Sequence, residues 1–263
     1  MDFGLNGKFA LVMGAGSGLG AACAKALAKE GAHVVMVGRR IEALEARAAE
    51  IRAIAPQAQC TPFVWDISDP TRAAEQVAEI RRRAGPIQVL VNNTGGPPPT
   101  PAAGQPVELW TTQFQSMVAS LIAITDAVLP DMQQAQWGRI ITIASSGVVS
   151  PIPNLALSNA LRSALVGWSK TLSRELAAKG ITVNMALPGR IATDRLRFLD
   201  ESKAKRESKP IEQVIADSQG AIPMGRYGHP DEFGAAVAFL ASQAAAYITG
   251  SMIRVDGGMI ASI

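Results

Sequence analysis

Cysteine and histidine are scarce in this sequence, with two of each among 263 residues. Cys23 and Cys60 have no metal-ligand spacing, so they predict buried thiols instead of a disulfide framework or a zinc site. His33 opens an apolar run and His229 lies in a Gly-His-Pro turn, both far from the segments that carry other motifs. We therefore expect no metal and no catalytic histidine.

Charge and long apolar runs are also limited. Charged residues make up 18% and hydrophobic residues 48% of the chain, which excludes an intrinsically disordered protein. The net charge of +3 is spread along the chain, which suits an anionic ligand but is too small to indicate nucleic acid. No run of 18 apolar residues predicts a membrane span, and the start MDFGLNGKFALVMG lacks the features of a signal peptide. We expect a cytoplasmic protein that binds neither membranes nor nucleic acid.

Short apolar runs alternate with helix-length segments along the chain. Seven runs predict strands, at residues 9–14, 33–38, 60–65, 87–93, 138–145, 181–187 and 251–256. The segments between them predict helices, including 18–30, 41–53, 70–84, 107–135, 155–179 and 230–245. This alternation is typical of a parallel sheet covered on both faces. With no repeat and no linker, residues 1–263 are predicted to form one α/β domain, a doubly wound Rossmann sheet in three layers.

A proline-rich patch, GGPPPTPAAGQP, follows the fourth predicted strand at residues 95–106. Its prolines favour an extended loop. The loop is either a surface connection or a wall of the ligand cleft, because open α/β sheets bind ligands beyond the carboxyl ends of their strands.

The first predicted strand runs into GAGSGLG at residues 14–20, and a helix follows. Gly14 permits a tight turn, while Gly18 and Gly20 allow the backbone to approach a pyrophosphate and the sheet. The free N–H groups at the start of the helix favour phosphate binding. Because a strand precedes the motif and a helix follows it, we predict a dinucleotide site here.

The second predicted strand ends in VGRR at residues 37–40. A carboxylate at this position would bind the adenine-ribose diol of NAD, but none is present. The guanidinium groups of Arg39 and Arg40 suit a 2′-phosphate instead, through forked and charge-assisted hydrogen bonds. We therefore predict NADP (NADPH) as the cofactor.

From end to end, the chain resembles the short-chain dehydrogenase/reductase family, and within it the 3-oxoacyl-acyl carrier protein reductases. The segments that carry the resemblance are GAGSGLG (14–20), WDISD (65–69), VNNTGG (91–96), GRIITIASS (138–146), LPGRIATD (187–194) and YITGSMIRVDGG (247–258). Met13 departs from the family, which usually has threonine at this position.

The resemblance implies roles for individual residues. Asp66 would meet the adenine amino group and Asn92 would brace the central strand, unless these two are simple turn or cap residues. Thr94 and Gly95 would lie along the cofactor, and residues 188–193 would hold the nicotinamide carboxamide. The full predicted cofactor-binding set is Gly14, Ser17, Gly18, Leu19, Gly20, Arg39, Arg40, Asp66, Ile67, Asn92, Thr94, Gly95, Arg162, Pro188, Gly189, Ile191 and Thr193.

The family's catalytic set is an asparagine, a serine and a Tyr-x-x-x-Lys pair, and this sequence departs from it. Ser145 matches the serine, but Ser158 stands at the tyrosine position, Arg162 at the lysine position and Met117 at the asparagine position. The chain has only two tyrosines, Tyr227 and Tyr247, and no Tyr-x-x-x-Lys. The candidate catalytic residues are therefore Ser145, Ser158 and Arg162.

Ser158 and Arg162 are four residues apart, so a helix places them on the same face. Arg162 can hold the nicotinamide ribose and keep a positive charge in the site, but a guanidinium does not shuttle protons as lysine does. Ser158 is a weaker acid and much shorter than tyrosine, which leaves space for water or a substrate group. The alternative is a helix face kept for cofactor binding or packing.

Three functions remain open at this point. The favoured one is an NADP-dependent oxidoreductase that acts on a small carbonyl or alcohol substrate, with 3-oxoacyl thioesters among the candidates and a non-standard proton donor. The second is an NADP-binding sensor or partner subunit with little activity. The third is non-redox chemistry, since halohydrin dehalogenases resemble this family and use a Ser-Tyr-Arg set. They lack the glycine motif, however, whereas here the motif is intact and the tyrosine is absent.

Two further expectations concern the lid and assembly. The segment near 190–222 corresponds to the family's variable substrate lid, and its first part, 190–210, carries seven basic and four acidic residues. In the family, the helices near 107–135 and 155–179 pair across one two-fold axis and the last strand packs across another. We therefore expect a homotetramer.

Overall fold

The computed structural model describes residues 2–263 and contains a seven-stranded sheet with the strand order β3-β2-β1-β4-β5-β6-β7. Every neighbouring pair of strands is parallel. All seven predicted strands are present: β1 Phe9–Val12, β2 His33–Gly38, β3 Cys60–Val64, β4 Val89–Asn92, β5 Gly138–Ile143, β6 Ile181–Pro188 and β7 Met252–Val255. The predicted doubly wound parallel sheet is confirmed.

Helices cover both faces of the sheet. They are α1 Gly18–Lys29, α2 Ile41–Ile54, α3 Ala73–Ala84, α4 Val107–Phe114, α5 Ser120–Ala135, α6 Ala156–Leu176, α7 Asp194–Glu207, α8 Ile211–Gly220 and α9 Pro230–Ala241. One apolar core joins the sheet to α1, α2 and α9, and a second joins the opposite face to α3, α5 and α6. The inner strands are mostly apolar because both of their faces are buried, whereas β3 and β7 at the edges of the sheet are partly exposed.

The order of the strands locates the ligand crevice. The chain moves outward from β1 to β2 and β3, and then returns to place β4 on the other side of β1. The connections that leave β1 and β4 therefore diverge at the carboxyl edge of the sheet. A crevice opens at such a reversal of strand order, and this is where open α/β sheets bind their ligands.

The predicted helix at 107–135 is interrupted. A π-helical segment, Gln115–Ala119, separates α4 from α5 and contains Met117. The Gln115 carbonyl accepts the backbone N–H of Ser120, five residues later, and also a hydrogen bond of 2.7 Å from the Ser120 hydroxyl. Short π segments occur mostly at functional sites, and this one borders the crevice.

Counted as one element, Val107–Ala135 is the one helix within residues 2–263 that is long and apolar enough to cross a bilayer. Core helices of globular proteins share these properties. Its residues Leu121, Ile124 and Val128 are at most 1% exposed, because they pack against the sheet and its neighbouring helices.

Asp131, near the end of α5, ties this helix to the start of β4. Its carboxylate pairs with Arg81 on α3 at 2.7 Å and accepts a hydrogen bond of 2.9 Å from the Ile87 backbone N–H. The Asp131 side chain is buried, at 8% exposure. Removing it would leave a buried N–H without a partner, which is the costly form of a lost hydrogen bond.

We predict that Asp131→Ala lowers the free energy of unfolding by about 2 kcal/mol, since it strands both Ile87 N–H and Arg81. The matched control is Asp126→Ala, an exposed position on the same helix, for which the change stays within about 0.5 kcal/mol. Urea denaturation followed by circular dichroism measures both. Equal stabilities of the two variants would contradict the bracing role of Asp131.

Candidate active site

A cavity of about 1210 Å³ lies at the carboxyl edge of the sheet. It runs from the turn after β1, past the ends of β2 and β4, to the end of β5 and the start of α6. It brings together every predicted site residue except Gly20 and Asn92: Gly14, Ser17, Gly18, Leu19, Arg39, Arg40, Asp66, Ile67, Thr94, Gly95, Ser145, Ser158, Arg162, Pro188, Gly189, Ile191 and Thr193. The glycine motif and the candidate catalytic residues Ser145, Ser158 and Arg162 therefore line one cavity.

The glycine turn has the geometry that a phosphate site needs. Gly14 and Gly18 adopt left-handed conformations, with φ of +62° and +55°. The N-cap residue of α1, Ser17, makes no side-chain cap hydrogen bond, and the first turn of α1 contains no acidic residue. The first N–H groups of the helix, with its positive dipole end, are therefore available to an anion.

Gly20 has a packing role and does not line the cavity. A Cβ at this position would lie 2.2 Å from the Gly14 carbonyl oxygen, so only glycine lets α1 approach the turn this closely. Gly20 thereby positions the turn, and its contact with a cofactor stays a prediction.

Asn92 also lies outside the cavity. It is fully buried at the end of β4, where its side-chain amide donates a 3.0 Å hydrogen bond to Thr125 Oγ1 on α5. This is the bracing role that the family resemblance implies, without direct contact to a cofactor. Its neighbour Asn93, which was not predicted, faces the cavity and donates from Nδ2 to the Met13 carbonyl at 3.1 Å.

The far end of the cavity carries unpaired cations. Arg39 and Arg40 are exposed at its rim, and neither forms a salt bridge within residues 2–263. Asp66, also at the rim, accepts a 3.0 Å hydrogen bond from the Ser68 backbone N–H, as a turn residue does. The second carboxylate oxygen of Asp66 stays free for a ligand, so its two predicted roles are compatible.

At the opposite end, Ser145 follows β5 and lies between the sheet and α6. Its hydroxyl oxygen accepts a 3.0 Å hydrogen bond from the Gly147 backbone N–H and thereby caps a short 3-10 turn. This contact uses the oxygen as an acceptor and leaves the hydroxyl proton for another partner. Ser145 lines the cavity, so that partner can be a ligand.

Ser158 and Arg162 face the cavity from α6, and each is only 7% exposed. Arg162 Nη1 donates to the Ile143 carbonyl at 3.0 Å, and its Nε donates to Ser158 Oγ at 3.4 Å. The guanidinium is thus held at the end of β5 and contacts Ser158. Ser158 Oγ acts as an acceptor in this contact, so its own proton remains available.

Arg162 carries its charge into the protein interior. Burial and, to a smaller extent, the positive charge of Arg195 lower the pKa of Arg162 to about 10. The side chain therefore stays protonated at neutral pH. It can stabilise negative charge in the cavity but cannot exchange protons there.

Met117, predicted to stand at the asparagine position, lies on the wall of the cavity. It is 3% exposed, and it lines the cavity from the π-helical segment while packing with Leu157 and Leu161 of α6. A thioether in this position provides packing and no strong hydrogen-bond donor. Any proton relay through an amide at this point is absent.

The proline-rich loop forms a wall of the cavity, which decides between its two interpretations. Gly95, Gly96 and Pro99 line the cavity. The Thr100 N–H donates to the Asn154 carbonyl at 2.8 Å and the Thr100 carbonyl accepts from the Ala156 N–H at 3.2 Å. These two hydrogen bonds hold the loop against the start of α6, near Ser158.

Comparisons with known proteins agree with this geometry. The family described as Enoyl-(Acyl carrier protein) reductase matches residues 14–260. Nodulation protein G of Azospirillum brasilense is 36% identical over 257 residues, covering 96% of this chain and 98% of its own length. The 3-oxoacyl-[acyl-carrier-protein] reductase FabG of Escherichia coli is 35% identical, with 96% of this chain and 97% of its own length covered.

This chain is a short-chain dehydrogenase/reductase.

Solved structures give the same assignment. YwfH, an NADPH-dependent reductase involved in bacilysin biosynthesis, superposes with a TM-score of 0.93 at 33% identity, covering 98% of this chain and all of that one. L-sorbose reductase from Gluconobacter frateurii, complexed with NADPH and L-sorbose, superposes with a TM-score of 0.93 at 29% identity, covering both chains completely. The family places the chain among oxidoreductases.

Sequence reasoning missed some cavity residues. Gly16 sits inside the predicted glycine motif, whereas Asn93 and Gly96 sit inside VNNTGG, so the motifs themselves were a signal for all three. Arg195 had no such signal, because it lies in the predicted lid, just after the last residue of LPGRIATD. The structure brings it over the loop after β4, where its Nη2 donates to the Pro97 carbonyl at 2.6 Å.

Within residues 2–263, no group of three or more histidine, cysteine, aspartate or glutamate side chains is arranged to hold a metal ion. The polar groups of the cavity are instead hydroxyls, amides, guanidinium groups and the ammonium of Lys203, with carboxylates on its rim and lid. Such a set suits an anionic, hydrogen-bonding organic ligand.

Proposed function

We propose that this short-chain dehydrogenase/reductase transfers a hydride between NADP and a small carbonyl or alcohol substrate, with a serine in place of the usual tyrosine as proton donor. The observation that carries the proposal is the continuity of the cavity. One space of about 1210 Å³ joins the glycine turn and Arg39 to Ser145, Ser158 and Arg162.

The residues of the cavity fit NADP. Left-handed Gly14 and Gly18 and the uncapped start of α1 suit a pyrophosphate, and the unpaired Arg39 and Arg40 suit a 2′-phosphate. Thr94 Oγ1 is buried without a hydrogen-bond partner, which is the state expected of a hydroxyl reserved for a ligand. When bound, NADPH supplies the hydride. The NADPH-dependent YwfH and the NADPH complex of L-sorbose reductase support the same cofactor.

The chain's own residues would handle the proton and the substrate oxygen. Ser145 donates its free hydroxyl proton as a hydrogen bond to the carbonyl oxygen and orients it. Ser158 delivers a proton to that oxygen as negative charge develops there, and regains one from water in the cavity. Arg162, which donates to Ser158 Oγ, stabilises the serine oxygen during this exchange.

The lid and the cellular setting complete the proposal. Helices α7 and α8 lie within the predicted lid near 190–222, and side chains of α7 line the cavity, so this segment selects the substrate. A cytoplasmic location is proposed with it, as is a substrate that is a small molecule. FabG acts on 3-oxoacyl thioesters by its name, and such thioesters belong in a substrate screen.

The primary test is turnover. Pure protein is incubated with NADPH and a panel of ketones, oxo acids, 3-oxoacyl thioesters, quinones and imines, and the loss of absorbance at the nicotinamide band is followed. Turnover of a carbonyl in the panel supports the proposal. NADPH binding without turnover on any compound would favour the alternative, a sensor or partner subunit.

We predict that NADPH binds at least about tenfold more tightly than NADH, which corresponds to about 1.4 kcal/mol, because Arg39 and Arg40 contact the 2′-phosphate. Calorimetry measures both affinities. Replacing both arginines with alanine should bring the affinities together, whereas Arg47→Ala, a partly exposed control on α2, should change neither. Equal affinities in the parent protein would refute the role of the two arginines.

We predict that Ser158→Ala lowers kcat by about 100-fold with little effect on NADPH affinity, since it removes the proton donor. Ser163→Ala, at an exposed position on the same helix, is the control. Arg162→Ala should instead weaken NADPH binding. Steady-state kinetics measures the effect on turnover, and calorimetry measures the effect on NADPH binding. Unchanged turnover in Ser158→Ala would show that Ser158 is not the proton donor.

The double variant Ser158→Tyr with Arg162→Lys restores the family's Tyr-x-x-x-Lys pair. It tests whether the present site is a form of the family's site that has lost activity. We predict lower activity than the parent, because the phenol ring fills space shaped for water or substrate. Lysine also cannot reproduce the forked contacts of Arg162 with the Ile143 carbonyl and Ser158. Kinetics on the substrate found in the screen decide this, and a double variant faster than the parent would reverse the conclusion.

We predict a homotetramer in solution. Apolar side chains are exposed on the segments that pair in the family: Val107 and Phe114 of α4 are 72% and 44% exposed, and Met252 of β7 is 43% exposed. Burying them between subunits removes them from water. Light scattering should give four times the 27.6 kDa chain mass. A mass near one chain would rule out the assembly.

A further inference from the structure

Two guanidinium groups without an acidic partner line the end of the cavity that holds Ser158. Arg162 reaches it from α6 and Arg195 from α7, and both line the cavity. Neither forms a salt bridge within residues 2–263. They are close enough for the charge of Arg195 to affect Arg162, and burial lowers the pKa of Arg195 as well.

The position of Arg195 depends on a specific glycine. Its Nη2 donates to the Pro97 carbonyl at 2.6 Å, and the guanidinium lies over Gly96. A Cβ at Gly96 would come within 2.8 Å of Arg195 Nη2 and 3.1 Å of Cζ. Any other residue at position 96 would therefore push the guanidinium aside. The loop after β4 is shaped to receive this cation.

The acidic residues of the cavity are engaged elsewhere. Each of the four has its own partner: Asp66 with the Ser68 N–H, Asp194 with Arg197, Asp200 with Arg190 and Tyr227, and Glu207 with Arg206 and Lys209. These acids are thus engaged, and none of them forms a salt bridge with Arg162, Arg195 or the lid residue Lys203 within residues 2–263. A buried charge without a partner is costly, and two adjacent ones repel each other.

A ligand that brings negative charge relieves both costs. The hydrogen bonds of Arg162 to Ile143 and Ser158 use its Nη1 and Nε, so its Nη2 has no protein partner. Arg195 likewise uses Nη2 for Pro97 and retains other donors. Planar guanidinium groups with free N–H donors match the planar oxygens of a carboxylate.

We propose that the substrate is an oxo acid or hydroxy acid whose carboxylate binds between Arg162 and Arg195. Because Arg162 contacts Ser158, the carboxylate lies on the same side of the cavity as the reacting carbonyl. This inference rests on the proposed oxidoreductase function and names its substrate class. Arg195 thereby becomes the specificity-determining residue of the lid.

The cofactor brings no negative charge to these two cations, since the ribose hydroxyls that Arg162 can hold are neutral. Its phosphates have their own donors at the start of α1 and at Arg39 and Arg40, toward the other end of the cavity. The nicotinamide end that faces Ser145 and Ser158 carries no anionic group. The negative charge at that end must come from the substrate.

Binding tests the inference without turnover. Malonate and oxamate are titrated calorimetrically into the protein saturated with NADP⁺, with acetamide and malonamide as neutral counterparts and inorganic phosphate as a second anion. We expect the two carboxylates to bind at least about tenfold more tightly than the amides. Arg195→Met and Gly96→Ala should each weaken carboxylate binding about tenfold, since one removes the cation and the other displaces it. Arg197→Met, an exposed lid control, should not.

Turnover gives the second measurement. Oxo acids are compared with their primary amides as NADPH-dependent substrates, and kcat/KM for the acids should exceed that for the amides by at least about 100-fold in the parent. In Arg195→Met the ratio should fall toward one. Acid and amide turned over equally well by the parent would overturn the substrate class while leaving the oxidoreductase proposal intact.

Other outcomes are equally decisive. Carboxylate binding without oxidation of NADPH on any substrate would contradict the proposed function and would leave the anion site in place. Tighter binding of phosphate than of malonate would replace the carboxylate with a phosphate group. Weaker NADP⁺ binding in Arg195→Met, with carboxylate binding unchanged, would reassign Arg195 to the cofactor and overturn the inference.

Discussion

The contact between Met13 and the end of β4 is the constraint on which the cavity depends. The Met13 N–H donates to the Val91 carbonyl at 3.1 Å, and its carbonyl accepts from Asn93 Nδ2 at 3.1 Å. A Cβ at Gly14 would come within 2.6 Å of that amide nitrogen, so the turn closes only with glycine. These contacts fasten the two loops that diverge where the strand order reverses. Because they involve the backbone of Met13, its departure from the family's threonine leaves them intact, while its side chain joins the core.

The cations of the cavity divide by their solvation. Arg39 and Arg40 are exposed, so they carry little desolvation cost and water screens them until a phosphate arrives. Arg162 is buried, and the same charge there acts through a low dielectric, where attraction to an anion is stronger. The exposed pair therefore suits the recognition of a cofactor that must come and go. The buried cation suits the stabilisation of charge at the reacting atoms.

The sequence predicted the sheet well because seven apolar runs of strand length are hard to misread when both faces of the sheet are buried. It located the cavity because the family's motifs lie at the ends of those strands. Asn92 and Asn93 show what could not be predicted from the sequence. Adjacent residues at a strand end point to opposite sides, and their spacing alone does not tell which of them lines the cavity. Arg195 marks a second limit, since its position depends on a contact with Pro97, almost a hundred residues away in the chain.

The replacements at the catalytic end form a coherent set. A buried guanidinium with no acidic partner lowers stability, and an apolar side chain of similar size would fill the same space at less cost. Arg162 is instead held by the Ile143 carbonyl and leans on Ser158, while Met117 seals the neighbouring wall with apolar atoms. In a site that no longer has a function, we would expect a buried charge to be lost. Here the buried charge of Arg162 is kept and is hydrogen-bonded to the Ile143 carbonyl. The arrangement fits the proposed function, in which Arg162 supplies a fixed positive charge beside Ser158.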